Sequence, residues 1–159
     1  MTLENLTVSA IQLLKDLIEI PSFSSEEHLT AKRIENWFDD CEVPFNRSQN
    51  NIWAVNKFFD PLKPTLLLNS HHDTVKPNNG YTKDPFKAQV ENGKLYGLGS
   101  NDAGGCLVSL LAAFTHFYSH KNLNYNLVIV ASAEEESSGE ACLNSMLSII
   151  PKIDVAIVG

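Results

Sequence analysis

Apolar residues recur along the chain first at helical and then at strand-like spacing. From Val8 to Ile20, Ile11, Leu14 and Ile18 share one helical face with Leu13 and Leu17 beside it, and Pro21 ends the run. Ser24 and Ser25 offer N-caps for a second helix reaching about Asp40, with Leu29, Ile34, Trp37 and Phe38 inward. Pro44 to Asn46 and Ile52 to Phe59 read as strands around a polar turn. A strand from Thr65 to His71 carries Leu66-Leu-Leu68. Phe86 to Val90 and Lys94 to Tyr96 flank Glu91-Asn-Gly93, a strong hairpin signal. Cys106 to Tyr118 predicts an apolar helix, Asn126 to Ala133 a buried strand, Gly139 to Ile150 a further helix, and Ile153 to Gly159 a third buried strand. Buried strands alternating with helices predict an α/β fold: three layers, a largely parallel central sheet, helices on both faces. The Leu66, Leu127 and Ile153 strands are expected side by side, none of them at an edge.

Composition narrows the function classes. With 159 residues, 43% hydrophobic and 19% charged, the chain can bury a real core. A net charge of -7 leaves no basic stripe for nucleic acid. No apolar run approaches the roughly 18 residues of a membrane span. The start, Met1-Thr-Leu-Glu-Asn-Leu6, lacks the character of a signal peptide. Cys41, Cys106 and Cys142 form neither a disulfide framework nor a CxxC site. Cys106 and Cys142 are expected as buried thiols, and the expected compartment is the cytoplasm.

Three polar clusters follow apolar elements. His71 and Asp73 are two apart at the end of the Leu66 strand, so in extended chain they share a face and His72 points away. An imidazole beside a carboxylate can serve as a metal ligand and the group that orients it; a plain surface loop is the competing reading. Glu134, Glu135 and Glu136 follow the Leu127 strand. Three glutamates in a row ordinarily form a solvated face, but six apolar or small residues precede them, so part of the run should enter the crevice at the strand ends. Asp102 lies in the glycine-rich stretch Gly97 to Gly105. That stretch has no Lys-Ser/Thr end and no GxGxxG spacing, so a nucleotide loop is excluded. His72-Asp73 also matches the His-Asp pair of helical metal phosphohydrolases, which the Leu66 strand speaks against. In open α/β sheets ligands bind beyond the carboxyl ends of the strands. One histidine and several carboxylates there suit a divalent ion: zinc, or cobalt or manganese. His28, His116 and His120 read as ordinary surface or core histidines.

Four motifs in order carry a resemblance. Ser70-His-His-Asp-Thr-Val75 resembles the Ser/Gly-His-x-Asp-x-Val motif of the metal-dependent aminoacylase and carboxypeptidase family, which includes acetylornithine deacetylase and succinyl-diaminopimelate desuccinylase. Tyr81-Thr-Lys-Asp-Pro-Phe86 resembles its Trp-Thr-x-Asp-Pro-Phe segment, Leu95 to Asp102 its Tyr-Gly-Arg-Gly-x-x-Asp, and Ser132-Ala-Glu-Glu-Glu136 its Thr-Ala-Asp-Glu-Glu. Leu98, Gly104 and Glu134 depart from the usual Arg, Lys and Asp. The resemblance implies a zinc-peptidase-like catalytic domain with two zinc ions per complete site. By position it makes His71 a ligand of one metal, Asp102 the bridging ligand, Glu136 a ligand of the second, Glu135 the general base, and Asp73 the holder of the His71 ring.

The implied reaction is hydrolysis of the amide of an N-acyl amino acid. The glycine-rich segment is most similar to acetylornithine deacetylase-type members, which would place the protein in arginine biosynthesis; a desuccinylase or metallo-dipeptidase on the same scaffold is the alternative. A non-catalytic binding or structural fragment is the alternative from another class. The resemblance further implies a carboxylate and a histidine ligand beyond Gly159 and a lid domain that makes a homodimer. Residues 1–159 are therefore expected to be the N-terminal portion of the catalytic domain, binding metal weakly and inactive alone.

Overall fold

A computed structural model describes residues 2–159; Met1, the first residue of the terminus read above as no signal peptide, lies outside them. Helix α1 (Leu3–Glu19) starts five residues before the expected Val8 because the Thr2 hydroxyl accepts the Asn5 N–H at 3.2 Å. Its buried stripe is Leu6, Ala10, Leu13, Leu14, Leu17 and Ile18; Ile11, expected inward, lies off that stripe and is exposed. Helix α2 (His28–Asp40) buries Ile34, Trp37 and Phe38 as expected but leaves Leu29 exposed. Neither serine caps it. Both hydroxyls bond carboxylates across the molecule, Ser24 to Asp73 and Ser25 to Glu134.

The strands are β1 (Asn46–Ser48), β2 (Asn51–Val55), β3 (Thr65–His71), β4 (Gln89–Glu91), β5 (Lys94–Tyr96), β6 (Asn126–Ser132) and β7 (Val155–Val158). β4 and β5 form the expected hairpin, with Asn92 and Gly93 both at positive φ in its turn. The other five form one sheet in the order β1-β2-β6-β3-β7. β6, β3 and β7 are parallel neighbours, while β2 runs antiparallel to β6 and β1 antiparallel to β2.

Alternation within the apolar strands sorts their side chains to two faces. Ile52, Ala54, Leu68, Leu127, Ile129 and Ala131 join α1, α2 and helix α3 (Gly105–Phe117) in the larger core. Leu67, Val128 and Val130 face Met146 and Ile150 on the other side. The three expected layers are present, but the second face is covered by a short helix, α4 (Leu143–Met146), and the chain around it. The longer helix expected from Gly139 to Ile150 does not form. The Ala141 N–H is held by the Glu134 carboxylate at 3.0 Å and its carbonyl by Asn51 Nδ2 at 2.7 Å, so neither is free for a helical ladder.

Two further expectations are corrected. β7 pairs with β3 as anticipated, yet it is the edge of the sheet and all four residues are exposed. Apolar composition marks a strand fit for burial; what covers it is decided by the elements around it. Cys106 is exposed and Cys142 half-buried, because the buried stripe of α3 runs through Leu107, Val108, Leu111 and Phe114 and leaves Cys106 off it. No helix among the described residues is long and apolar enough to cross a membrane.

Candidate metal centre

The register of β3 on β6 pairs His71 with Ser132, so both strands end at the same level. The chain after β6 therefore emerges beside the chain after β3. Asp102 arrives from a third direction, in the Ser100–Gly104 turn that leads into α3. Helical dihedrals fail at Asp102 and Ala103, and the peptide between them is cis. The Ser70 hydroxyl donates to the Ala103 carbonyl at 3.3 Å, tying this turn to β3. Gly104 packs where a Cβ would lie 2.6 Å from the Gly99 carbonyl oxygen and 2.7 Å from Leu14 Cδ1. Gly104→Ala should therefore destabilise the protein by about 1–3 kcal/mol through overpacking against backbone, measured by urea denaturation; an unchanged midpoint would mean that the turn gives way freely.

These elements bring His71, Asp102 and Glu136 together. One ligand atom from each lies within 4.8 Å of the others. His71 Nε2 is 3.1 Å from Asp102 Oδ1 and 3.8 Å from Glu135 Oε2. His71 and Asp73 are buried, whereas the Asp102 and Glu135 side chains are 78% and 59% exposed. The glutamates do not alternate as residues of a strand would. Glu134 takes a positive φ of 53° and the chain turns there, so the extended geometry ends at Ser132. The Glu134 carboxylate folds back to accept from Ser25 and Ala141, and Glu135 and Glu136 turn toward His71 and Asp102.

Asp73 organises this corner. His71 Nδ1 lies 3.0 Å from the Asp73 carbonyl and 3.4 Å from its Oδ1. The Asp73 carboxylate also accepts the Glu135 N–H at 3.0 Å, the Glu136 N–H at 3.1 Å and the Ser24 hydroxyl at 2.7 Å. Burial alone would raise its pKa, but the bonds from His71, Ser24 and the two amides outweigh burial and hold it at about 2. Burial likewise opposes protonation of His71; the bonds and charge of Asp73, with Asp102, overcome it and raise His71 to about 9. Glu136 is pushed up, by burial and then by the negative charge of Asp102. Clustered carboxylates around one imidazole nitrogen repel each other unless a proton or a cation lies between them.

A pH effect on the metal-free protein follows. His71 is raised above its ordinary 6.5, so its stabilisation is complete below pH 6.5 and is lost as pH rises through 9. Asp73 is lowered from 3.8, so its share is present above pH 3.8 and is lost as pH falls through 2. Urea unfolding in chelator should show stability falling by on the order of 2 kcal/mol between pH 6.5 and 9. A flat profile there would mean that His71 is not held protonated.

His72 points away, as anticipated. It is buried, with Nδ1 2.9 Å from the Thr30 hydroxyl and Nε2 2.9 Å from the Asn50 carbonyl. Burial pushes its pKa down. Linear reading missed Ser24, Glu27 and Asn51. Glu27 is buried and accepts the Glu134 N–H, and Asn51 Oδ1 accepts the Ala133 N–H. Ser24 meets Asp73 from 49 positions away, and Glu27 and Asn51 meet Glu134 and Ala133 from 107 and 82, so no local pattern signals these contacts.

The model of peptidase family M20/M25/M40 matches residues 67–158, more than half of the chain. The chain is 31% identical to an acetylornithine deacetylase of Buchnera aphidicola over 166 residues, covering 95% of itself and 42% of that protein. It is 30% identical to a succinyl-diaminopimelate desuccinylase of Blochmanniella floridana, again covering 42% of that protein. The fold is that of a dinuclear metal-binding peptidase of family M20 from Bacillus subtilis: TM-score 0.72 at 16% identity, covering 98% of this chain and 43% of the other. The chain thus spans less than half the length of the relatives it matches.

Proposed function

We propose, because this chain belongs to peptidase family M20/M25/M40, that the protein containing it is a metal-dependent amidohydrolase that cleaves the amide of an N-acyl amino acid. The observation that carries the reading is the convergence of His71 Nε2, Asp102 and Glu136 on one point, with Glu135 at its rim. The donor set fits a divalent cation. His71 offers Nε2 while Nδ1 is engaged by Asp73, and the flanking donors are carboxylates whose mutual repulsion a cation would relieve. His71, Asp102 and Glu136 would hold zinc, with cobalt or manganese as substitutes, two ions to the complete site. Such ions supply Lewis acidity toward the scissile carbonyl and acidify the attacking water.

The remaining roles belong to the chain. Asp73 keeps the His71 ring aimed at Asp102 and holds the amides of Glu135 and Glu136. Glu135, exposed at the rim with Oε2 3.8 Å from His71 Nε2, takes the proton of the attacking water and delivers it to the leaving amine. A pocket of about 260 Å³ bounded by Tyr81, Ser100, Asp102 and Glu136 gives a small acyl amino acid room beside these groups.

Acetyl-ornithine is the proposed substrate, supported by the 31% identity to an acetylornithine deacetylase. That substrate would put the protein in arginine biosynthesis in the cytoplasm. Desuccinylation is the second reading, supported by the 30% identity to a desuccinylase. The 42% coverage of both relatives supports reading residues 1–159 as the N-terminal portion of a catalytic domain, with other ligands and a dimerising lid elsewhere in the protein. The test is hydrolysis of N-acetyl- and N-succinyl-amino acids by the whole protein before and after chelation. Activity abolished by chelator and restored by zinc or cobalt is the expected result; chelator-insensitive hydrolysis, or none of either substrate, would overturn the reading.

A further inference from the structure

We propose that Glu27 is a positioning residue for the Glu134–Glu136 segment: its buried carboxyl group fixes the backbone from which Glu135 and Glu136 reach the metal centre. The catalytic consequence rests on the hydrolase reading above; the backbone role does not.

Glu27 lies just before α2 and is fully buried. Its Oε1 accepts the N–H of Ser25 at 2.7 Å and of Glu134 at 3.2 Å, and its Oε2 accepts from Asn50 Nδ2 at 3.0 Å. All three donors are neutral amides. A buried carboxyl group with such partners is a costly way to gain stability, since a well-packed apolar side chain avoids its desolvation. What the carboxyl group supplies is two acceptors in one rigid plane, joining three separate segments. Glu134 is where the chain leaves the strand geometry, at φ 53°. Four consecutive amides around it each meet a side-chain acceptor: Ala133 on Asn51, Glu134 on Glu27, Glu135 and Glu136 on Asp73. Asp73 holds the far half of this segment, and Glu27 holds the pivot. Without Glu27, the carboxylates of Glu135 and Glu136 swing about Glu134 and lose their aim at His71 and Asp102.

The test compares Glu27→Ala, Glu27→Gln and Asp16→Asn in the whole protein. Asp16 is the control: it lies on α1, half-buried, bonds Gln12 and Arg33, and shares no hydrogen-bond partner with Glu27. Amide hydrogen exchange of residues 133–136 is read in the metal-free protein, with cobalt(II) affinity and the kcat and KM of the acyl substrate read beside it. Glu27→Ala should speed exchange at Glu134–Glu136 at least about tenfold and weaken cobalt about 10- to 100-fold, with kcat falling more than KM changes. Glu27→Gln keeps an oxygen for Ser25 and Glu134 and should restore most of each. Asp16→Asn should leave all of them near wild type. The proposal is overturned if Glu27→Ala speeds exchange at these residues only in step with global unfolding. If Glu27→Ala does not fold, Asn50→Ala, which removes the donor to Oε2, is read against Arg47→Ala, which removes the other partner of the Asn50 side chain: faster exchange at Glu134 in Asn50→Ala alone supports the role, and equal or unchanged exchange overturns it. If the wild-type protein binds no cobalt, the hydrolase reading fails, and the exchange comparison still decides the role of Glu27.

Discussion

Glu135→Gln should lower turnover by about 10²–10⁴ while metal content and thermal stability stay at wild-type values. The side chain is 59% exposed, and its backbone N–H, which Asp73 holds, survives the substitution. Glutamine keeps the shape and cannot take a proton from water. Glu136→Gln should differ. Glu136 belongs to the group whose ligand atoms lie within 4.8 Å of one another, and an amide is a poorer ligand than a carboxylate, so this variant should lose metal first and activity with it. The measurement is metal content and kcat for both variants side by side. If Glu135→Gln sheds metal and Glu136→Gln keeps it, the two roles are exchanged. Strand alternation does not separate these neighbours, because the chain turns at Glu134; their different reach is set by the turn.

Asp73→Asn should be the most destabilising single substitution at the site, by about 3–5 kcal/mol, the range for removing one partner of a buried ionic network. The carboxylate accepts from Ser24, Glu135 and Glu136 and faces the His71 ring. An amide in its place turns an N–H₂ toward one of those donors and leaves it unsatisfied. The same change should bring His71 down from about 9 toward its ordinary range, since Asp73 is its main support. Urea unfolding and a histidine NMR titration of the metal-free protein read the two effects. A loss below about 1 kcal/mol with an unmoved His71 titration would show that the network is not held by Asp73.

Much of the fold was legible because its signals are local. β3 runs from Thr65 to His71 as its apolar run and polar ending predict, and the hairpin forms around Asn92-Gly93. The order of buried strands and helices gave the α/β class and the adjacency of β6, β3 and β7. The departures lie in burial and in one helix. Ile11 and Leu29 face solvent, Cys106 is exposed, β7 is an edge and the helix at Gly139 shrinks to four residues. The apolar patterns were real, but which helical stripe faces the core, what covers β7 and which distant side chains claim the backbone near Ala141 are settled by packing between elements.

The site divides in the same way. Residue type and spacing alone picked out His71, Asp73, Asp102 and the glutamates after β6, because imidazole and carboxylate at strand ends are chemically conspicuous. Only the folded chain decided that Glu134 turns back toward Ala141, that Asp73 holds two backbone amides as well as the His71 ring, and that a buried Glu27 fixes the pivot from 107 positions away. Sequence patterns report what a side chain prefers in its immediate neighbourhood. The aim of Glu135 and Glu136 is set by hydrogen bonds that exist only once β3, β6 and the start of α2 have met.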